Sequence, residues 1–369
     1  MRSKVAGLGA CFLASAVLAI GAVLPKIQLP ANSPVSLLGT DYSDSNETAR
    51  GGAMVVDLHA ALTLVNSDQR RIRGITLVVT AQEVTPGGRG SVTLANLDVG
   101  PKESFPVRID MRLLKPLQGG SGVPVLIGLD GVLFDDLSFV GPDKLGSKRM
   151  LTVNELEARR DRKYFKALFA EGGAQKIQNE ILGIIQRQTQ NPGVDVQMVR
   201  AGRSTNLDSE RPVRFAFLNM PDSPIQPLEG SARVAGNEAR SPQLEVKNRS
   251  DRSVRYLEIG WILQDHQGRE YVAGSVPAEL NLGPGQTSPL LNDTTLRFPS
   301  RPGQPLAIDG MTGFVSTVEY SDGNVWIPTR ADLATDPRLR AIPSGEEQRL
   351  VQIYRKGGIN AVVGELKKF

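Results

Sequence analysis

Cysteine is almost missing from this 369-residue chain, the single copy being Cys11. Beyond it there is no material for a disulfide, a thiolate nucleophile or a sulfur-ligated zinc. Histidine is nearly as scarce, with only His59 and His266. His59 falls on the outward side of an alternating run, and His266 sits in an Asp265-His266-Gln267-Gly268 turn. Neither has a ligand partner at helical or hairpin spacing, so no metal is expected. No histidine stands beside a Gly-x-Ser-x-Gly turn, which removes the usual nucleophile–base pair. Aromatic residues make up 5% and the net charge is +4, short of the stacking surface and charge excess that a nucleic-acid partner asks for. We therefore expect no catalytic, cofactor-binding or metal-binding residues, no cofactor and no nucleic acid.

Carboxylates remain, and three arrangements of them mimic chemistry. Val125–Asp135 reads as an apolar strand followed by Asp130-Gly131 and Asp135, which resembles the first motif of haloacid-dehalogenase-type phosphatases. The nucleophilic Asp of that family is replaced here by Gly128, so Asp130-Gly131 is expected to be a hairpin turn between two strands. Asp135 and Asp136 are neighbours in an extended run and point to opposite faces. Glu346 and Glu347 fall in a first helical turn, where the helix dipole accounts for them. Arg159, Arg160, Arg162 and Lys163 are expected to form a solvated helix face with Glu155, Glu157 and Asp161 as local partners.

The strongest signal present is internal repetition. Asn66-Ser67-Asp68 with Ile72-Arg73 returns as Asn248-Arg249-Ser250-Asp251 with Val254-Arg255, and Gly100-Pro101 returns as Gly283-Pro284. Asp136 has a counterpart in Asp322, and Gly172-Gly173 returns as Gly357-Gly358. The spacings are nearly constant (248−66=182, 283−100=183, 322−136=186, 357−172=185), which is how a unit present twice reads in sequence. Alternating apolar side chains place Val56, Leu58, Ala60, Leu62 and Leu64 on one strand face, and Leu244 and Val246 take the same role in the second half.

Domains follow from these patterns. Arg2 and Lys4 precede the uncharged Val5–Leu24 run, so residues 1–24 read as a signal peptide or signal anchor. Residues 25–52, rich in Pro, Ser, Asn, Asp and Gly, read as a flexible linker. Residues 53–150 form β-sandwich 1 and 151–192 form helical hairpin 1, opened by a Thr152-x-x-Glu155 capping box and stopped by Asn191-Pro192. Residues 193–237 are a linker with one strand, Val213–Leu218, residues 238–330 form β-sandwich 2, and 331–369 a loop and helical hairpin 2 opened by Ser344-x-x-Glu347. The expected fold is mainly β with α, as two antiparallel β-sandwiches each followed by an αα-hairpin.

These units resemble the tandem immunoglobulin-like β-sandwich modules of bacterial envelope proteins, including the FxLYD-like type. The resemblance rests on the Asn-Ser-Asp and Asn-Arg-Ser-Asp turns after an alternating strand and on the two Gly-Pro turns, over about 53–140 and 238–330. The helical hairpins depart from that pattern. The resemblance implies adhesion or assembly without a shared active site, so no residue roles carry over. The resulting expectation is a non-enzymatic exported protein of the periplasm or outer face of the inner membrane. Its partner would be another envelope protein or polymer, and residues 5–24 would hold it to the membrane if uncleaved. A second reading is a carbohydrate- or peptide-binding accessory module using Trp326, Tyr320 and Asn324, although packing of Trp326 on the second helical hairpin competes with it. A third is a hydrolase using carboxylates alone.

Overall fold

The computed structural model describes residues 25–42, 44–83, 86–116, 124–190, 193–200, 210–291, 293–299 and 306–368. The signal segment 1–24 and the Asn191-Pro192 stop lie outside them. The chain is mainly β with a few helices and divides into two compact units. The first comprises the described residues up to Leu94 together with Asp98–Lys144, and the second Ala95–Leu97 with the residues from Leu145 onward.

In the first unit the strands are β1 (Lys26–Gln28), β2 (Val35–Asp41), β3 (Asn46–Arg50), β4 (Ala53–Asn66), β5 (Ile72–Thr80), β6 (Arg89–Leu94), β7 (Ser104–Pro116), β8 (Leu126–Phe134) and β9 (Phe139–Val140). One sheet runs β1-β8-β5-β6, with β1 parallel to β8 and β9 hydrogen-bonded to β8. The other is centred on β4, which pairs β7 along one edge and β2 and β3 along the other. The alternation in β4 turns Val56, Leu58, Ala60, Leu62 and Leu64 inward, each at most 4% exposed. Residues 25–52 are not a flexible linker but three paired strands. β2 keeps only Val35 buried, so its role is backbone pairing rather than core packing and no apolar alternation marks it.

Asp130-Gly131 is likewise not a hairpin turn, because both residues lie inside the continuous strand β8. Asp130 is buried and its Oδ1 accepts the Lys144 N–H at 2.9 Å. Gly131 is required because the Phe139 ring would lie 1.9 Å from a Cβ at that position. The actual turn follows β8, where Leu137 adopts φ 64° and the Asp136 carboxylate accepts the Ser138 N–H at 2.9 Å.

The second unit contains α1 (Ser147–Gln190), β10 (Gly193–Val194), β11 (Gln197–Arg200), β12 (Arg211–Phe217), β13 (Ile225–Ala235), β14 (Glu238–Asn248), β15 (Val254–Asp265), β16 (Glu270–Leu282), β17 (Thr287–Leu290), β18 (Thr294–Arg297), β19 (Ile308–Tyr320), β20 (Val325–Trp326), α2 (Arg330–Ala334) and α3 (Gly345–Leu366). One run of strands is β12-β19-β15-β16-β10, with β12 parallel to β19 and β20 paired to β19. β12 also pairs β13, which leads into β14, β18 and β11, while β17 pairs β14. Leu244 and Val246 of β14 share a core with Leu257, Ile259 and the fully buried Trp261 of β15. The described residues of 193–237 carry four strands where one was expected; β10 and β11 are short, and exposed positions interrupt the apolar pattern of β13.

The helices correct the sequence reading most. α1 belongs to the second unit rather than closing the first. It begins at Ser147, upstream of the expected box, so Thr152 and Glu155 are buried interior residues and cap nothing. Gly172 and Gly173 break it, Gly173 at φ 61° and ψ −154°, and Gly358 breaks α3 in the same way at φ 66° and ψ −166°. Such dihedrals are essentially restricted to glycine. Phe165, Ile177, Ile181 and Ile184 of α1 form one apolar cluster with Leu350, Val351, Val362 and Leu366 of α3. The Ser344–Glu347 capping box is present: the Glu347 N–H donates to Ser344 Oγ at 3.1 Å, and the Ser344 N–H to Glu347 Oε2 at 3.1 Å.

Candidate functional site

The residues nominated by sequence separate. In the Tyr320–Asn324 turn the Tyr320 N–H donates to the Asn324 carbonyl at 2.9 Å and the Asn324 N–H to Asp322 Oδ1 at 3.0 Å. The Arg252 guanidinium pairs with Asp322 and stacks 3.9 Å above the Tyr320 ring. Tyr320 and Asn324 therefore shape a turn. Trp326 leaves that turn and becomes the wall of an apolar trough of about 610 Å³.

Val325, Trp326, Ile327, Pro328, Thr329 and Arg330 form one side of the trough, and Leu156, Arg160, Lys163, Tyr164 and Ala167 of α1 the other. The spacing of the α1 residues (156, 160, 163, 164, 167) is one face of a helix. Trp326 was expected against the second helical hairpin, but it faces the arm of α1 that precedes Gly172, because α1 packs within this unit. This face of α1 was not singled out from sequence, and nothing in the sequence connected it to Val325–Arg330.

Beneath the trough lies an ion network, in which the expected local partners Glu155, Glu157 and Asp161 pair with the basic residues of α1. Arg160 is half-buried and Arg162 buried, however, rather than solvated. Arg160 donates to Asp161 Oδ1 at 2.8 Å and to the Pro328 carbonyl at 2.8 Å. Arg330 pairs with Asp161 at 2.8 Å and Glu347 at 2.9 Å, and its guanidinium sits 4.3 Å over the Tyr164 ring. Arg162 reaches Glu346 at 3.4 Å and Glu155 at 3.9 Å, while Arg349 bridges Glu346 at 2.7 Å and Glu365 at 2.6 Å. Glu346 and Glu347 are thus buried ion partners, beyond what the helix dipole explains. Glu346 lies 184 residues from Arg162 and Asp161 lies 169 residues from Arg330 in sequence (346−162=184, 330−161=169), so neighbouring residues gave no sign of these two pairs. Only Arg159 and Lys163 of the four basic residues are exposed.

Burial raises the Glu157 carboxyl to about 7; Arg160 opposes this shift, while Asp161, Glu347 and Glu258 add to it. Burial also raises the Tyr164 phenol. The trough lining itself carries no carboxylate, histidine or cysteine. Its geometry provides an apolar surface with cations on both walls, Arg160 and Lys163 on one and Arg330 on the other, which suits binding.

The remaining candidates are dispersed. His59 Nδ1 lies 2.9 Å from Asp110 and His266 Nδ1 2.9 Å from Asp309, all four residues being well exposed at their side chains. Among the described residues no group of three or more His, Cys, Asp or Glu side chains is placed to hold a metal. A second, more polar trough of about 690 Å³ contains Glu229 and Glu245, directly opposed across β13 and β14. Glu229 is exposed and Glu245 half-buried. No helix among the described residues is long and apolar enough to cross a membrane.

No protein-family model matches the chain, and no curated protein matches it. Among solved structures, the chain is weakly similar to a β-glucosidase from Kluyveromyces marxianus, at 9% identity and TM-score 0.15, covering 72% of this chain and 45% of that one. The same enzyme in complex with glucose aligns at 8% identity and TM-score 0.13, covering 75% and 47%. Phpd with cadmium and hydroethylphosphonate aligns at 12% identity and TM-score 0.09, covering 72% and 80%. The chain spans less than half the length of the β-glucosidase, and scores this low carry no argument about fold or activity.

Proposed function

We propose that this chain is a non-enzymatic, exported envelope protein that binds a partner in the trough walled by Trp326. The observation carrying the reading is an apolar surface of ligand size whose described lining has no carboxylate, histidine or cysteine. This joins the interaction-module reading to the accessory-module reading, with Trp326 retained and Tyr320 and Asn324 assigned to the turn beside it. Export rests on residues 1–24 as signal peptide or anchor; N-terminal sequencing of fractionated native protein tests it, and a cytoplasmic chain retaining Met1 would overturn it.

We further propose that the architecture is one immunoglobulin-like sandwich with its helical hairpin, present twice. The orders β1-β8-β5-β6 and β12-β19-β15-β16 support this, each with a parallel first pair. Asn66 Nδ2 donates to the carbonyls of Arg70, Val99 and Gly100, as Asn248 Nδ2 does to those of Arg252 and Leu282. Arg70 stacks on Phe134 at 3.8 Å as Arg252 stacks on Tyr320 at 3.9 Å. A bulge falls opposite Leu64 and Thr63 and again opposite Val246 and Glu245, each time carrying an exposed leucine, Leu38 or Leu228. The helical cluster aligns Phe165 with Leu350, Ile177 with Val362 and Ile181 with Leu366 (350−165=185, 362−177=185, 366−181=185).

The binding claim is tested by placing a photo-crosslinking phenylalanine analogue at position 326 in the native host, with exposed Leu182 of the second α1 arm as the control position. A discrete adduct at 326 and none at 182 is expected. Identical background at both positions would overturn the claim.

A further inference from the structure

Resting on the binding reading above, we propose that the occupant of the Trp326 trough is an extended segment of a partner protein, in which an apolar side chain sits next to Asp or Glu. Length is the first argument. From Leu156 to Ala167 the helical wall advances eleven residues, about 16 Å at 1.5 Å per residue. Five extended residues span about the same distance at 3.3 Å each. The trough is open along this length, as a peptide segment requires. Trp326 on one wall and Tyr164 on the other line the trough, and aromatic side chains give an apolar anchor a large surface to pack on.

Charge is the second argument. The charged lining residues are Arg160, Lys163 and Arg330, with no carboxylate among them. Arg160 and Arg330 are held by Asp161, Glu347 and the Pro328 carbonyl, so their charges are already balanced. Lys163 is exposed at the rim and forms no ion pair among the described residues. A ligand carboxylate beside the apolar anchor would complete it, whereas a ligand lysine would face an uncompensated cation.

The test is calorimetric titration of the full chain in mild detergent with three acetylated, amidated probes: Glu-Leu-Phe-Glu-Leu, its Gln-for-Glu counterpart and its Lys-for-Glu counterpart. The glutamate probe is expected to bind at least tenfold more tightly than the lysine probe. Lys163→Glu, which alters one exposed side chain, should reverse that order, and Trp326→Ala should abolish binding of every probe with the circular dichroism spectrum unchanged. If the three probes bind equally, or Lys163→Glu leaves the order intact, the acidic-peptide inference is overturned while the trough stands as a binding site. If sodium dodecanoate binds in a Trp326-dependent way and no peptide does, the occupant is an amphipathic carboxylate and the peptide inference is likewise overturned. Binding of no probe overturns it too; the binding reading then falls or stands on the crosslinking experiment at position 326.

Discussion

Asn66 and Asn248 are each fully buried and each side chain has four hydrogen-bonding partners, the two Nδ2 hydrogens of Asn66 being shared among three carbonyls. Asn66 donates to the carbonyls of Arg70 (2.9 Å), Val99 (3.1 Å) and Gly100 (3.0 Å) and accepts from the Asp68 N–H (3.0 Å). Asn248 donates to the carbonyls of Arg252 (2.8 Å) and Leu282 (2.9 Å), and accepts from the N–H (2.9 Å) and hydroxyl (2.7 Å) of Ser250. A net worth of about 1 kcal/mol per bond gives about 4 kcal/mol for replacing either by alanine. Some of those carbonyls keep a second donor, as Val99 does from the Ile72 N–H, which trims the expected loss to about 3 kcal/mol. Guanidinium unfolding should separate the two sites, because Trp261 and Trp326 both lie in the second unit. Asn248→Ala should lower the midpoint of the tryptophan fluorescence transition at constant slope, and Asn66→Ala a transition seen by circular dichroism. A loss under about 1 kcal/mol at either site would refute the claim that these side chains hold their turns together.

Four further outcomes are expected. Gly173→Ala and Gly358→Ala should each cost about 1–3 kcal/mol; no atom lies within 4 Å of a Cβ at either site, so the cost is backbone strain and thermal unfolding measures it. Phe165→Ala should cost about 3–5 kcal/mol in the same assay, since it empties the centre of the helical cluster. Arg330→Met should cost about 3 kcal/mol by denaturant titration, because Glu347 is left buried without its guanidinium, although Asp161 keeps Arg160. The Glu157 carboxyl, raised from 4.5 to about 7, favours the folded state fully below about pH 4.5, and that contribution fades as pH rises through 7. Stability measured at pH 5 and pH 8 should therefore fall by on the order of 2 kcal/mol, and Glu157→Gln should flatten the dependence.

Where burial and short-range pattern coincide, the chain could be read directly. The inward stripe of β4, the inward Leu244 and Val246 of β14 and the Ser344–Glu347 cap all follow from residues two to four apart. Elements stabilised by distant partners could not be read in this way. β1 to β3 are mostly exposed strands whose hydrogen bonds are supplied by β8 and β4, so no buried stripe marks them in the sequence. Thr152-x-x-Glu155 satisfies the local rule for a cap, yet the helix runs back to Ser147 and both residues are buried within it. Trp326 was legible as a candidate from its scarcity, while Tyr164 and Lys163 became its neighbours only through the packing of α1.

The membership of α1 in the second unit determines how the protein can be dissected. A fragment ending near residue 192 would carry Ile177, Ile181 and Ile184 without the α3 side chains that cover them, and such a stripe promotes self-association in water. Scission between Lys144 and Leu145 keeps both helical elements with the sheets they pack on, so the C-terminal piece should be recovered as a soluble monomer where the longer N-terminal piece aggregates.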